Sequence, residues 1–170
     1  MPPNEIVLQS GKQRMTFRQT NPDLVMDATY KPGGVYPPAH IHPAQDEHFE
    51  VLKGALNVRM AGREQVYTAG QSFDVPRGTP HTMRNGGDED AVLVWEVRPA
   101  LKTPAFYQTL AALEARGQTS PNGQPNILQV AVLMQEYRAE FIPVVPRPLY
   151  WLLLHVLAPL ARWRGYRARL

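Results

Sequence analysis

The sequence contains no cysteine. Disulfides, thiolate metal sites and a cysteine nucleophile are therefore excluded, and any transition metal must be held by histidine and carboxylate. A long apolar run is also missing. The longest, Leu149 to Leu160, is 12 residues and is broken by His155 and Pro159, short of the roughly 20 that a spanning helix needs. Met1 to Ser10 lacks a basic-then-apolar pattern, so nothing there argues for secretion and the expected compartment is the cytoplasm. There is no internal repeat, no Gly-rich phosphate loop and no helix-turn-helix pattern before the strand-rich region, so no nucleic-acid partner is expected. Acid is absent from the end of the chain. Residues 141–170 hold five arginines and no Asp or Glu, whereas residues 1–140 hold 13 Lys+Arg against all 15 acids. The basic balance thus comes from a tail, whose ordinary reading is a packed helix with a solvated arginine face.

What is present points to a β-rich domain. The 170 residues suffice for one domain with an appendage. Hydrophobic residues at 44% and charged residues at 19% exclude a disordered chain. Seventeen prolines and twelve glycines favour short strands separated by turns. Strands are predicted over residues 5–9, 14–18, 24–30, 49–52, 56–60, 64–67, 71–75, 81–84 and 91–97. Between them lie turn signals such as Pro32-Gly33-Gly34, Lys53-Gly54 and Asn85-Gly86-Gly87. Such spacing suggests an antiparallel sandwich or barrel. After Pro99 the pattern becomes helical. Thr103-Pro104 reads as a cap and first turn of a helix ending at Gly117, the period of Ile127, Val130, Ala131, Met134 and Tyr137 predicts a second over 126–141, and 149–164 a third, kinked at Pro159.

Three of the five histidines lie within nine residues: His40, His42 and His48. On a strand, His40 and His42 share a face, with Ile41 opposite. Two inward imidazoles are costly unless something uses them, and a divalent metal is an economical use. Glu47 has the wrong parity for one straight strand with His42. Pro43 to Asp46 can turn, however, so that Glu47 opens the next strand and faces back with Phe49 and Val51. His81, after the Pro76-Arg77-Gly78 turn, is a candidate fourth ligand.

These residues resemble a known family. Gly34, five residues, His40-Ile41-His42, four residues, Glu47, six residues, Gly54 is similar to the first motif of the cupins. Gly70, five residues, Pro76-Arg77-Gly78, two residues, His81, three residues, Asn85 is similar to the second. The resemblance covers about residues 20–98 and extends to small single-domain members of the superfamily. It implies a mainly β fold, the double-stranded β-helix or jelly-roll barrel, over residues 1–100. Residues 101–170 would form a C-terminal α-helical extension outside the core family pattern, packed on the barrel or on a dimer partner. It further implies that His40, His42, Glu47 and His81 coordinate one divalent metal ion (Fe, Mn, Ni, Cu or Zn), and that two copies pair as a homodimer.

Four protein donors leave open positions on a five- or six-coordinate ion, which suits Lewis-acid or dioxygen chemistry. The leading expectation is a metal-dependent enzyme with dioxygenase-like chemistry on an aromatic or enol-type small molecule. Glu47 would then serve also as a catalytic base, a role some cupin dioxygenases use. The alternatives are a non-catalytic module that binds or senses a metal–ligand complex, and a metal-dependent isomerase or lyase. His48 is expected at the sheet surface, Glu96 paired with an arginine there, and His155 in a core or interface. Tyr36 and Gln45 either orient the imidazoles or pack in loops. Phe49, Val51, Phe73, Met83 and Trp95 are core or pocket wall. The third helix is expected to bury its leucines, with peripheral membrane contact through it as the lesser reading.

Overall fold

Alternating burial along the strands makes the barrel. The computed structural model describes residues 5–169. One antiparallel sheet runs β1 (Glu5–Leu8), β2 (Gln13–Gln19), β3 (Leu24–Tyr30), β10 (Ala91–Arg98), β5 (Asp46–Lys53), β8 (Ser72–Val75) in spatial order. The second runs β11 (Ile142–Pro143), β4 (His40–Ile41), β9 (His81–Asn85), β6 (Ala55–Met60), β7 (Arg63–Thr68). Leu24, Met26 and Ala28 of β3, with Leu93, Trp95 and Val97 of β10, point between the sheets and are buried, as are Leu56 and Val58 from the opposite side. Strands adjacent in space but distant in sequence, β3 beside β10 and β5 beside β8, give the jelly-roll winding. An aromatic stack fixes the centre: Phe49 lies 4.9 Å from Phe73 and 5.1 Å from Trp95 between ring centroids.

Two glycines decide local geometry. Gly54, joining β5 to β6, has φ +71°, and a Cβ there would come within 2.5 Å of the Asp90 carbonyl oxygen. Gly78 has φ +76° and donates its N–H to the His42 carbonyl, 3.0 Å, which ties the turn before β9 to the strand carrying the first two histidines. Asn85 works differently from a left-handed turn residue. Its amide donates to the Tyr30 and Glu89 carbonyls and its oxygen accepts from Gly87 N–H, so the 85–90 loop is closed by a side chain.

The helical half comprises α1 (Thr103–Ala115), α2 (Ile127–Glu136), α3 (Arg147–Leu152) and α4 (Ala158–Trp163), with a π-helical turn, Leu153–Leu157, between the last two. Thr103 is not the cap of α1. That position falls to Lys102, which makes no side-chain cap, because the buried Thr103 hydroxyl is engaged by Gln45. Asn126 caps α2 as its side-chain oxygen accepts from Leu128 and Gln129 N–H. The helix stops at Glu136, short of Phe141, and the freed residues turn back to the barrel. The two-residue β11, which no periodicity announces, pairs with β4 in the register Ile142↔Ile41 and Pro143↔His40. No described helix is long and apolar enough to cross a membrane.

Gly54→Ala should destabilise the fold by about 1–3 kcal/mol, since alanine must hold a left-handed φ against backbone. Urea unfolding checks this, and an unchanged midpoint would contradict the close approach at Asp90.

Candidate metal centre

The ligand candidates come from both sheets. β4 supplies His40, and His42 follows directly on its last residue, Ile41; β9 supplies His81; β5 supplies Glu47 from across the barrel. β4 is short because Pro37, Pro38 and Pro43 flank it and cannot donate to a ladder. It still pairs His40 directly with His81. One ring nitrogen from each of His40, His42 and His81 lies within 4.8 Å of the others. The Glu47 carboxylate oxygen Oε2 stands 3.0 Å from His81 Nε2 and 3.3 Å from His42 Nε2. Glu47 and His81 are each 2% exposed.

Each imidazole is held by its other nitrogen. Nδ1 of His40 faces the Pro38 carbonyl at 3.0 Å, Nδ1 of His81 faces the Thr79 carbonyl at 3.0 Å, and Nδ1 of His42 faces the Glu140 carbonyl. A carbonyl only accepts, so each Nδ1 carries the proton and each Nε2 offers a lone pair. Glu47 is oriented likewise: Trp95 Nε1 donates to Oε1 over 3.1 Å, turning Oε2 to the imidazoles. His42 Nε2 and Glu47 Oε2 are buried without a hydrogen-bond partner among the described residues. Unpaired lone pairs on imidazole nitrogen and carboxylate oxygen, converging on one point, fit a divalent cation.

The electrostatics agree with that donor set. Burial works against charge on Glu47, yet the His42, His81 and His40 imidazoles hold its carboxyl below the usual carboxylate value. Burial opposes charge on His81 as well, but the hydrogen bond and negative charge of Glu47 raise it above the ordinary imidazole value. His42 is lowered by burial, and His40 is pushed down to about 3 by burial and then by the neighbouring His81 and His42. With no cation bound, a proton added beyond those on the three Nδ1 atoms is favoured at the His81–Glu47 pair.

A cavity of about 240 Å³ opens from His40 and His81 toward the gap between barrel and helices. Its wall is mostly apolar, with Met83, Trp95, Phe106 and Phe141 among the lining residues. Phe141 stacks on the His40 ring at 4.5 Å and on Phe106 at 5.4 Å. Tyr30 and Tyr107 also line it. Burial, with the Glu47 charge adding to it, raises both phenols, so both stay protonated. Tyr30 Oη already accepts from Gln13 Nε2 at 2.9 Å and keeps its own proton to donate.

Other candidates lie elsewhere. His48 sits at the sheet surface against Asp74, 2.7 Å, and Glu96 pairs there with Arg98. Tyr36 donates to Glu64 beneath the guanidinium of Arg59, away from the imidazoles. Gln45 is the exception: fully buried, it bears on His42, while its amide N–H groups reach the Pro99 and Ala100 carbonyls and its oxygen accepts from Thr103, joining the residue before β5 to the start of α1. His155 is exposed against Trp151 and belongs to no core. Three participants escaped the sequence reading: the Glu140 carbonyl, Phe141, and the indole N–H of Trp95. Only the last left a signal. A buried indole needs an acceptor, and Glu47 is the inward acid of the neighbouring strand.

Residues 26–97 match the family model described as the cupin domain. Germin-like protein 5-1 of Oryza sativa subsp. japonica is 40% identical over 99 residues, which cover 55% of this chain and 43% of that protein. Oxalate oxidase 1 of Hordeum vulgare is 38% identical over 73 residues, covering 38% of this chain and 36% of the oxidase. The chain thus spans less than half the length of these curated relatives. Among solved structures, KdgF from Halomonas sp. superposes with a TM-score of 0.47 at 19% identity, over 52% of this chain and 81% of that one.

Two outcomes follow from this geometry. Trp95→Phe keeps a ring beside Phe49 but frees Glu47, and should weaken metal retention about 10- to 100-fold. Chelator competition measures this, with a thermal melt to register any loss of fold; native-like retention would remove the indole from the site. Where His81 is protonated, its value being raised by Glu47, metal binding has to displace that proton. Apparent affinity should therefore begin to fall above the ordinary imidazole value of about 6.5 as pH drops, and continue falling toward about pH 5. A flat titration of occupancy against pH would contradict imidazole ligation.

Proposed function

We propose, from the match of residues 26–97 to the cupin domain, a metal-dependent enzyme of the cupin superfamily with oxygenase-type chemistry on an aromatic or enol-type oxygen compound. The observation carrying the reading is the set of three oriented imidazoles and one carboxylate beside a cavity that is otherwise mostly apolar. His40, His42, His81 and Glu47 would hold the ion. A divalent ion there supplies Lewis acidity to a substrate oxygen and, where redox-active, electron exchange with dioxygen as co-reactant.

The protein's own residues do the rest. Glu47, its carboxyl held below the usual value, can leave the ion and take the substrate hydroxyl proton at Oε2, while Trp95 keeps Oε1 occupied. The ring of Phe141, backed by Phe106, offers a flat apolar face to a planar substrate. Tyr30 and Tyr107 present neutral hydroxyls to polar substituents remote from the imidazoles. Among the described residues, the cavity lining contains no lysine or arginine. A dicarboxylate of the kind named for the barley relative would find no side-chain counter-charge for its second carboxylate, so a monoanionic enolate or phenolate suits the cavity better.

Protein loaded with iron, manganese or nickel should consume oxygen with at least one member of a flavonol, catechol and diketone panel. His81→Ala should lose the metal and the activity together while its far-ultraviolet dichroism stays native. Saturable ligand capture without oxygen uptake for every metal would replace the enzyme with a binding module.

A further inference from the structure

The C-terminal helical segment carries its bulk on the wrong side for a helix that merely packs. From α3 through the π-helical turn to α4, the buried positions are Leu153, Ala158 and Ala161. Leu153 and Ala158 sit with Ala131 and Met134 of α2, and Tyr150, Leu154 and Leu157 pack partly against them. Large apolar residues face outward: Leu149, Trp151, Leu152, Val156, Leu160 and Trp163 are all exposed, Trp151 at 59% and Trp163 at 81%. An ordinary amphipathic helix does the reverse, burying leucine and tryptophan and exposing small or polar residues. Among the exposed positions from Leu149 to Leu160, His155 alone is polar, and it lies against the Trp151 ring at 5.3 Å.

The charge around this face is of one sign. Residues 141–170 hold five arginines and no acid. Arg162 reaches back to Gln135 and Arg169 to Glu136. Arg147, Arg164 and Arg167 are exposed at the two ends of the segment. A second copy docked by two-fold symmetry would bring these arginines against their own duplicates. Charge complementarity instead selects an anionic surface, and the uncharged stripe selects one with an apolar interior.

We propose that this face lies on an anionic lipid bilayer, with the segment Arg147–Trp163 parallel to the membrane plane. Its length of about 25 Å in helical form suits lying at the interface, and no described helix is long and apolar enough to span. Trp151 and Trp163, near either end of the stripe, supply the side chains that favour the headgroup boundary. Arg147, Arg164 and Arg167 supply attraction to anionic lipid.

The test is co-sedimentation of the full chain with vesicles of phosphatidylcholine containing about one quarter phosphatidylglycerol, with pure phosphatidylcholine vesicles alongside. The chain should bind the anionic vesicles, bind the neutral ones far less, and be released by raised salt. Trp151→Ser with Trp163→Ser should reduce binding about tenfold or more. Arg164→Gln with Arg167→Gln should cost about fivefold per charge. All four positions are exposed, so the fold and metal retention should stay native in both variants. Absence of binding to anionic vesicles overturns the proposal. It is equally overturned if light scattering shows a lipid-indifferent dimer that the tryptophan variant converts to monomer. Metal retention reports separately on the barrel site, so failure of the membrane face and failure of the enzymatic reading are distinguishable.

Discussion

A carboxylate buried in a barrel core is the constraint that organises this molecule. Moving an ion of that size out of water costs several kcal/mol even after the protein relaxes, and Glu47 is almost wholly covered. Trp95 satisfies one oxygen. The other faces three imidazoles whose Nδ1 atoms are already committed to backbone carbonyls, so rotation of those rings offers no relief. The remaining ways to neutralise the charge are a proton on His81 or a cation at the centre. Three neutral imidazoles and one carboxylate around a divalent ion leave a net charge of +1, a smaller burden than an unpaired buried anion. The proton is the weaker solution, because it leaves His42 Nε2 without a partner.

The helical half belongs to the site as much as the barrel does. The His42 imidazole is held by the carbonyl of Glu140, whose own carboxylate accepts from Lys102 N–H at the start of α1. Phe141 covers His40, and β11 extends the sheet that carries it. Ala44 and Val144 add backbone bonds between the same two stretches. Gln45 fastens β5 to the α1 junction from the other side. The family match ends at residue 97, before Phe106, Tyr107 and Phe141. The donors thus lie within the matched residues, whereas Phe106, Tyr107 and Phe141 of the cavity wall lie outside them. In the proposed enzyme, discrimination among substrates would fall to that wall.

The barrel was legible in the sequence because alternation and turn chemistry agree. The 24–30 strand was placed at its observed bounds, and Glu47, Phe49 and Val51 share the inward face read from their parity. What failed were features settled by distant partners. Thr103 looked like a cap by local chemistry, but a buried glutamine takes its hydroxyl. Residues 137–141 continue a helical period on paper, yet the barrel recruits Glu140 and Phe141 out of it. A backbone carbonyl that orients an imidazole 98 residues away leaves no mark in composition, since any residue could provide it. His155 sat in an apolar stretch that read as core or interface, and the stretch proved to carry apolar side chains outside as well as in.

That outward bulk has a backbone cause. Pro159 has no N–H to continue the α-helical ladder and its ring crowds the preceding turn. The segment responds by widening before it into a π-helical turn over Leu153–Leu157, closed by Ala158 N–H on the Leu153 carbonyl. In an uninterrupted α-helix, positions twelve apart lie about a third of a turn from each other. A wider turn absorbs part of that rotation, bringing Trp151 and Trp163 toward the same side. It also keeps Leu153, Ala158 and Ala161 directed at α2, where the two alanines allow close approach. A proline that would ordinarily break a packing helix here sets the angular relation between two exposed indoles. Regular helix at this point would separate the tryptophans and turn one of them away from any flat surface the other touches.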